Sequence, residues 1–220
     1  NSTGIGYAAL ENAVGAGNTA VGTYALVTST TGTRNVAVGA NTLDALTTGY
    51  NNTSVGYDAG TSTTDAYNNT FIGTYCGDAN TTAYSCTAVG HNAMGTEQTG
   101  SGNTAVGEGA MYTANSSSNS QNTCFGQSAM GSGALAGTSN TGIGHGALAV
   151  LTSATGNSGL GRYSGVAITT GDYNTCVGYI AGDAITTGSN NVCVGYDSGS
   201  DAMETITTDS NNVIIGNNSS

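Results

Sequence analysis

The chain has 220 residues, 36 of them Gly, with no Pro and no Trp, and a formal net charge of −11 from 13 acidic residues against only two basic ones, Arg34 and Arg162. Leu, Ile, Val and Phe together number 33, too few for the core of an ordinary α/β or helical enzyme, and no run of about 18 apolar residues offers a membrane span. So acidic a surface argues against nucleic acid as a partner.

Composition alone would suit a disordered chain, but the order of the residues does not. From the amino terminus, a branched or aromatic apolar residue followed by Gly recurs at Gly22, Gly39, Gly56, Gly73, Gly90, Gly107, Gly126, Gly144, Gly161, Gly178, Gly195 and Gly216, with Gly6 ahead of the series. Most steps are 17 residues; those ending at Gly126, Gly144 and Gly216 are 19, 18 and 21. So regular a period predicts a stacked solenoid.

Each unit opens four residues before its glycine on Asn: Asn18, Asn35, Asn52, Asn69, Asn103, Asn122, Asn140, Asn157, Asn174 and Asn191, with Cys86 as the exception. A stacked Asn column can bond amide to amide from rung to rung, or serve only as a turn former. A short strand follows, as in Thr19-Ala20-Val21, and alternation puts Thr and the third residue on one face. The third column is the bulkiest: Val21, Val38, Val55, Ile72, Val89, Val106, Phe125, Ile143, Leu160, Val177 and Val194. Its bulk predicts that it lines the coil. The small middle column, including Ala20, Ala37, Ala88, Ala105, Cys124, Cys176 and Cys193, then faces outward as a smooth stripe on which copies of the chain could close.

Ala-Leu or Ala-Met pairs recur three and four residues after the glycine, and Thr-Thr-Gly at Gly32, Gly49, Gly171 and Gly188 reads as a corner needing positive φ. Seventeen residues then hold a strand, a corner, a second short strand and a turn. The expected fold is all-β: residues 1–220 as a single parallel β-roll or β-helix of about twelve rungs, two or three copies of which could close on the small-residue stripe. No polar cap is visible at either end, which reads as a section of a longer fibre.

The motif Asn18-Thr19-Ala20-Val21-Gly22 with Ala25-Leu26 resembles the N-T-A-V-G-x-x-A-L repeats of bacteriophage and large-virus tail fibres, and is similar to the head repeats of trimeric autotransporter adhesins. The resemblance spans essentially the whole chain. It implies a homotrimeric fibre segment, extracellular or on the virion surface, that supports attachment to a host cell through a cell-surface glycan or protein receptor. The alternatives are a self-polymerising surface filament, or an ice- or glycan-binding solenoid using Thr ladders.

Little in the sequence points to catalysis, metal or cofactor, and none is expected. His91 and His145 share a column but lie three rungs, about 14 Å, apart. No two Asp among Asp44, Asp58, Asp78, Asp183 and Asp197 stack in adjacent rungs of one column. Cys176 and Cys193 are rung neighbours about 4.8 Å apart, within reach of a bridge, although packed free thiols suit an apolar seam better. Tyr stands out, with 12 against two Phe. The long steps at 114–121 and 203–210 read as loops on a binding side, and Tyr112 beside the first is the expected contact residue.

Overall fold

The computed structural model describes residues 1–96, 99–114, 119–199 and 206–217. Among these the chain forms thirteen strands of three residues each, all parallel, and no helix: a parallel β-solenoid with a spacing of about 17 residues. The chain divides into two compact units, Asn1–Gly109 and Ala110–Ser220. The first holds β1 (Thr3–Ile5), β2 (Thr19–Val21), β3 (Val36–Val38), β4 (Thr53–Val55), β5 (Thr70–Ile72), β6 (Thr87–Val89) and β7 (Thr104–Val106). The second holds β8 (Thr123–Phe125), β9 (Thr141–Ile143), β10 (Ser158–Leu160), β11 (Thr175–Val177), β12 (Val192–Val194) and β13 (Val213–Ile215). Within each unit neighbouring strands pair in the register of the sequence repeat, so Val38 sits beside Val55 and Val55 beside Ile72.

The two faces of the strands are the reverse of those expected from side-chain bulk. Ala20, Ala37, Ala88, Ala105, Cys124, Cys176 and Cys193 are completely buried inside the coil and form no outward stripe. Val38, Ile72, Phe125, Ile143 and Leu160 are exposed, and Val21, Val55, Val89, Val106, Val177 and Val194 are only half-buried. The cause is parity. In an extended segment Asn and the middle strand residue share a face, and the Asn side chains are inside, so the Thr and Val positions must point out.

The core is therefore assembled across the coil. Small residues of the strands face Leu26, Leu43, Met94, Met111, Met130 and Leu148 from the turn, with Leu46, Leu151, Ile168 and Ile185 beyond them. Volume is conserved between columns. Phe71 is the one aromatic on the inner strand face, and the turn positions around it are Gly60 and Gly77; a Cβ on Gly77 would come within 2.7 Å of the ring. Conversely Gly159 faces Leu148, where a Cβ would lie 2.9 Å from Leu148 Cγ. Close packing of this kind leaves no room for an independent change at either position.

The second strand expected in each rung is absent from the described residues. After the marker glycine, φ is positive at every other residue, as at Gly22, Tyr24 and Leu26, and once more at the residue before the Asn, as at Arg34. Such alternation cannot make an extended strand. Each non-Gly residue held there costs about 1–2 kcal/mol, offset by hydrogen bonds between rungs: Tyr24 N–H donates to Tyr7 O at 2.9 Å and Leu26 N–H to Thr42 O at 3.1 Å. Gly32, Gly49, Gly171 and Gly188, expected to supply positive φ, do not. Glycine is required at Gly32 for space, since a Cβ would lie 2.7 Å from Gly49 O on the next rung. At Gly144 both reasons apply, with φ at 132° and a Cβ 2.5 Å from Gly161 O.

Candidate functional site

The buried Asn column is an amide ladder in both units, broken in the first at Cys86. In the first, Asn35, Asn52 and Asn69 each donate Nδ2–H to the Oδ1 of the preceding Asn at 3.1–3.2 Å. Their backbone N–H groups donate to the same oxygens at 2.9–3.1 Å. Each Nδ2 also donates to a carbonyl of the following rung, as Asn35 does to Gly49 O at 2.9 Å. Both hydrogens of the amide and its oxygen are thus used. Cys86 still donates its backbone N–H to Asn69 Oδ1, and its thiol lies 3.4 Å from Gly100 O, but it has no amide oxygen to pass on. In the second unit the ladder runs through Asn122, Asn140, Asn157, Asn174, Asn191 and Asn212. Asn103 is likewise buried. The ladder is the frame on which any surface site is held.

Two kinds of surface stand on that frame. The first is the outward face of the strands, with half-buried Thr at the first position and Val, Ile, Phe or Leu at the third. It presents a regularly spaced row of exposed or half-buried apolar side chains on a strongly acidic chain. The first hydroxyl of the Thr-Thr-Gly corners, by contrast, is spent on the backbone: Thr30 donates to Thr47 O and Thr47 to Thr64 O at 3.1–3.3 Å, as Thr64 does to Thr81 O in the rung that reads Thr64-Asp65-Ala66 at these positions, while Thr48 donates to Asp65 Oδ1.

The second surface is aromatic. Tyr50, Tyr67 and Tyr84 occupy one column of three successive rungs and stack with centroids 5.0 and 5.1 Å apart and ring planes within 6° of parallel. Beside them Arg34 donates Nε–H to Asn51 Oδ1 at 2.7 Å, and Asn51 donates Nδ2–H to Asn68 Oδ1 at 3.0 Å. In the second unit Tyr179 stacks on Tyr196 at 5.6 Å. Arg162 lies over the Tyr163 ring at 4.4 Å and donates to Tyr179 Oη at 3.2 Å. The column 50, 67, 84 was open to discovery from its 17-residue spacing alone. Tyr112 is exposed at the start of the second unit; residues 115–118 of the long step beside it, and 203–205 of the later one, lie outside the described residues.

Among the described residues the ionisable groups pair with rings, hydroxyls and one another across neighbouring rungs. His91 packs edge-on against Tyr75 in one unit and His145 against Tyr163 in the other. Asp44 and Asp78 are raised above the usual carboxylate range, first by burial and further by Asp58, which lies between them on the intervening rung. Asp183 is raised by burial and by Asp197 in the same way. The column comparison missed these contacts because the partners stand in different columns of adjacent rungs. Asp65 is lowered by the hydroxyls of Thr48 and Thr47. The five cysteines are buried and form no disulfide, with Cys176 beside Cys193. Burial pushes the Cys76 thiol up to about 12, and the Cys193 thiol and burial both raise Cys176. Such thiols are poor nucleophiles. Among the described residues no group of three or more His, Cys, Asp or Glu is placed to hold a metal ion, and no helix is long and apolar enough to cross a membrane. Comparisons with protein-family models, curated proteins and solved structures gave no match.

Proposed function

We propose that this chain is a structural fibre segment of a viral or phage tail fibre or surface adhesin, in which copies associate as a homotrimer and support attachment to a host cell. The observation that carries this reading is the outward row of Val21, Val38, Val55, Ile72, Val89 and Val106, with its counterpart from Phe125 to Val194. A regularly spaced apolar face left in water costs solubility, and covering it with the same face of other copies removes that cost at every rung. The inner Ala and Cys columns, sealed in the coil, are unable to make this contact. The net charge of −11 would keep assembled fibres apart. Extracellular or virion-surface placement and a glycan or protein receptor belong to the same reading.

The outward Thr and Val rows also favour a second reading, in which one copy lays this flat face on ice or on a crystalline polysaccharide. Sedimentation at micromolar concentration separates the two. A discrete trimer supports the fibre segment, long polymers point to a self-assembling filament, and a monomer that produces thermal hysteresis replaces the fibre reading with ice binding.

A further inference from the structure

We propose that the stacked Tyr50, Tyr67 and Tyr84 are an oxidative cross-linking site, at which a haem peroxidase and hydrogen peroxide join neighbouring rings as dityrosine and so tie successive rungs of the first unit covalently. The bond lies within one chain, so this goes beyond the attachment reading and does not depend on how many copies associate.

The backbone places the rings. Asn68 N–H donates to Tyr50 O and Ser85 N–H to Tyr67 O, both at 3.1 Å, so the three Tyr stand one above another on successive rungs. Their centroids are 5.0 and 5.1 Å apart and their planes within 6° of parallel. That arrangement brings like edges, with the ring carbons beside the phenol oxygens, to the same side of the column. Tyr50 and Tyr84 are exposed and Tyr67 is half-buried between them, so an oxidant in solution can reach the stack. Access alone does not single it out. Tyr7 and Tyr24 are 72% and 42% exposed, but they meet edge to face at 87°, and the coupling carbon of one ring is directed at the face of the other.

An oxidant at the surface finds little else to attack. The chain has no Trp, its five cysteines are buried, and among the described residues Met94, Met111 and Met130 are buried as well; exposed Cys and Met would otherwise be oxidised readily. In the coupling, one electron and one proton leave each of two phenols, and hydrogen peroxide accepts both pairs to become two waters. The two radicals join in a new carbon–carbon bond between ring positions adjacent to the oxygens. The hydrogen on each of those carbons then returns to its oxygen, which restores both phenols. Neighbours held in one chain meet at an effective concentration of about millimolar, far above that of a second chain in dilute solution. Each link closes a loop across one rung and restricts the unfolded chain as a disulfide would.

The test is treatment of the full chain at submicromolar concentration with a haem peroxidase and hydrogen peroxide, followed by denaturing electrophoresis and mass spectrometry of peptic peptides. A Tyr50–Tyr67 or Tyr67–Tyr84 link is expected, short of two hydrogens, in a product that keeps the mass of a single chain and melts at a higher temperature than the parent. Tyr67→Phe preserves the ring and the stack but lacks the phenol, and should abolish both links. Tyr24→Phe removes the edge-on pair and should leave them unchanged. Absence of a link in the column overturns the proposal. So does an equal yield at Tyr7–Tyr24, a product that joins separate chains in place of rungs, or a linked chain that melts no higher than the parent. Sedimentation of the untreated chain reads the fibre separately: a monomer that forms the link removes only the fibre, and a trimer that forms none removes only this site.

Discussion

A buried asparagine on nearly every rung is tolerable only because its amide is bonded to its neighbours, and that makes the ladder cooperative. Removing one side chain strips partners from two rungs. In Asn157→Ala the backbone N–H and Nδ2–H of Asn174 lose their acceptor, and the Gly171 carbonyl loses a donor. At about 1–3 kcal/mol for a buried group left unsatisfied, we expect a loss of at least about 3 kcal/mol, read as a lower urea midpoint. The opposite change is expected at Asn80, which is completely buried with neither side-chain atom hydrogen-bonded. The equivalent position in other rungs is Leu46, Leu151, Ile168 or Ile185. Asn80→Leu should therefore raise the midpoint, by about 1–3 kcal/mol of stability.

At the scale of a rung, strand and turn share one volume. Phe71→Ala should cost about 3–5 kcal/mol. Adding Gly77→Leu should return part of it, because Leu26 and Leu43 already hold the same positive-φ turn position in other rungs. Denaturant midpoints of the single and double variants test the compensation. Charge is shared between rungs as well. Asp44 and Asp78 have folded-state values above their ordinary 3.8, so the folded state binds more protons than the unfolded. Their favourable contribution is complete below about 3.8 and is lost as pH rises through the raised values. Thermal midpoints should accordingly increase on acidification from about pH 7 towards pH 4. Asp58→Asn should raise the midpoint at neutral pH and flatten that rise.

Period, strand positions and parallel register were legible because the Asn and Gly columns repeat without regard to what packs on them. The inside and outside of the strand were not, because bulk is a poor guide in a coil so narrow that Leu and Met from the turn already fill it. The usable signal was the parity of Asn18 with Ala20, and the pairing of Phe71 with Gly60 and Gly77. The turn was misread for a related reason: Tyr24, Leu26 and Arg34 do not look like residues of positive φ, and only the bonds between rungs hold them there.

For the whole molecule the reversal of faces changes what another copy would meet. A small-residue seam would have brought backbones into close approach, whereas the actual face offers half-exposed branched side chains above a row of Thr. Burying such side chains yields about 25 cal/mol per Å² of apolar area, repeated at each rung, so association should depend on many equal contacts rather than on one hot spot. A charge placed on that face should prevent assembly and leave the coil intact, since Val55 and Ile72 point to the outer face, half-buried and exposed, away from the Asn ladder and the inner column. The deciding measurement is the mass by sedimentation equilibrium of the parent chain and of Val55→Glu/Ile72→Glu, alongside circular dichroism. The account predicts a trimer for the parent and a folded monomer for the variant. A trimer in both, or a monomeric parent, would contradict it.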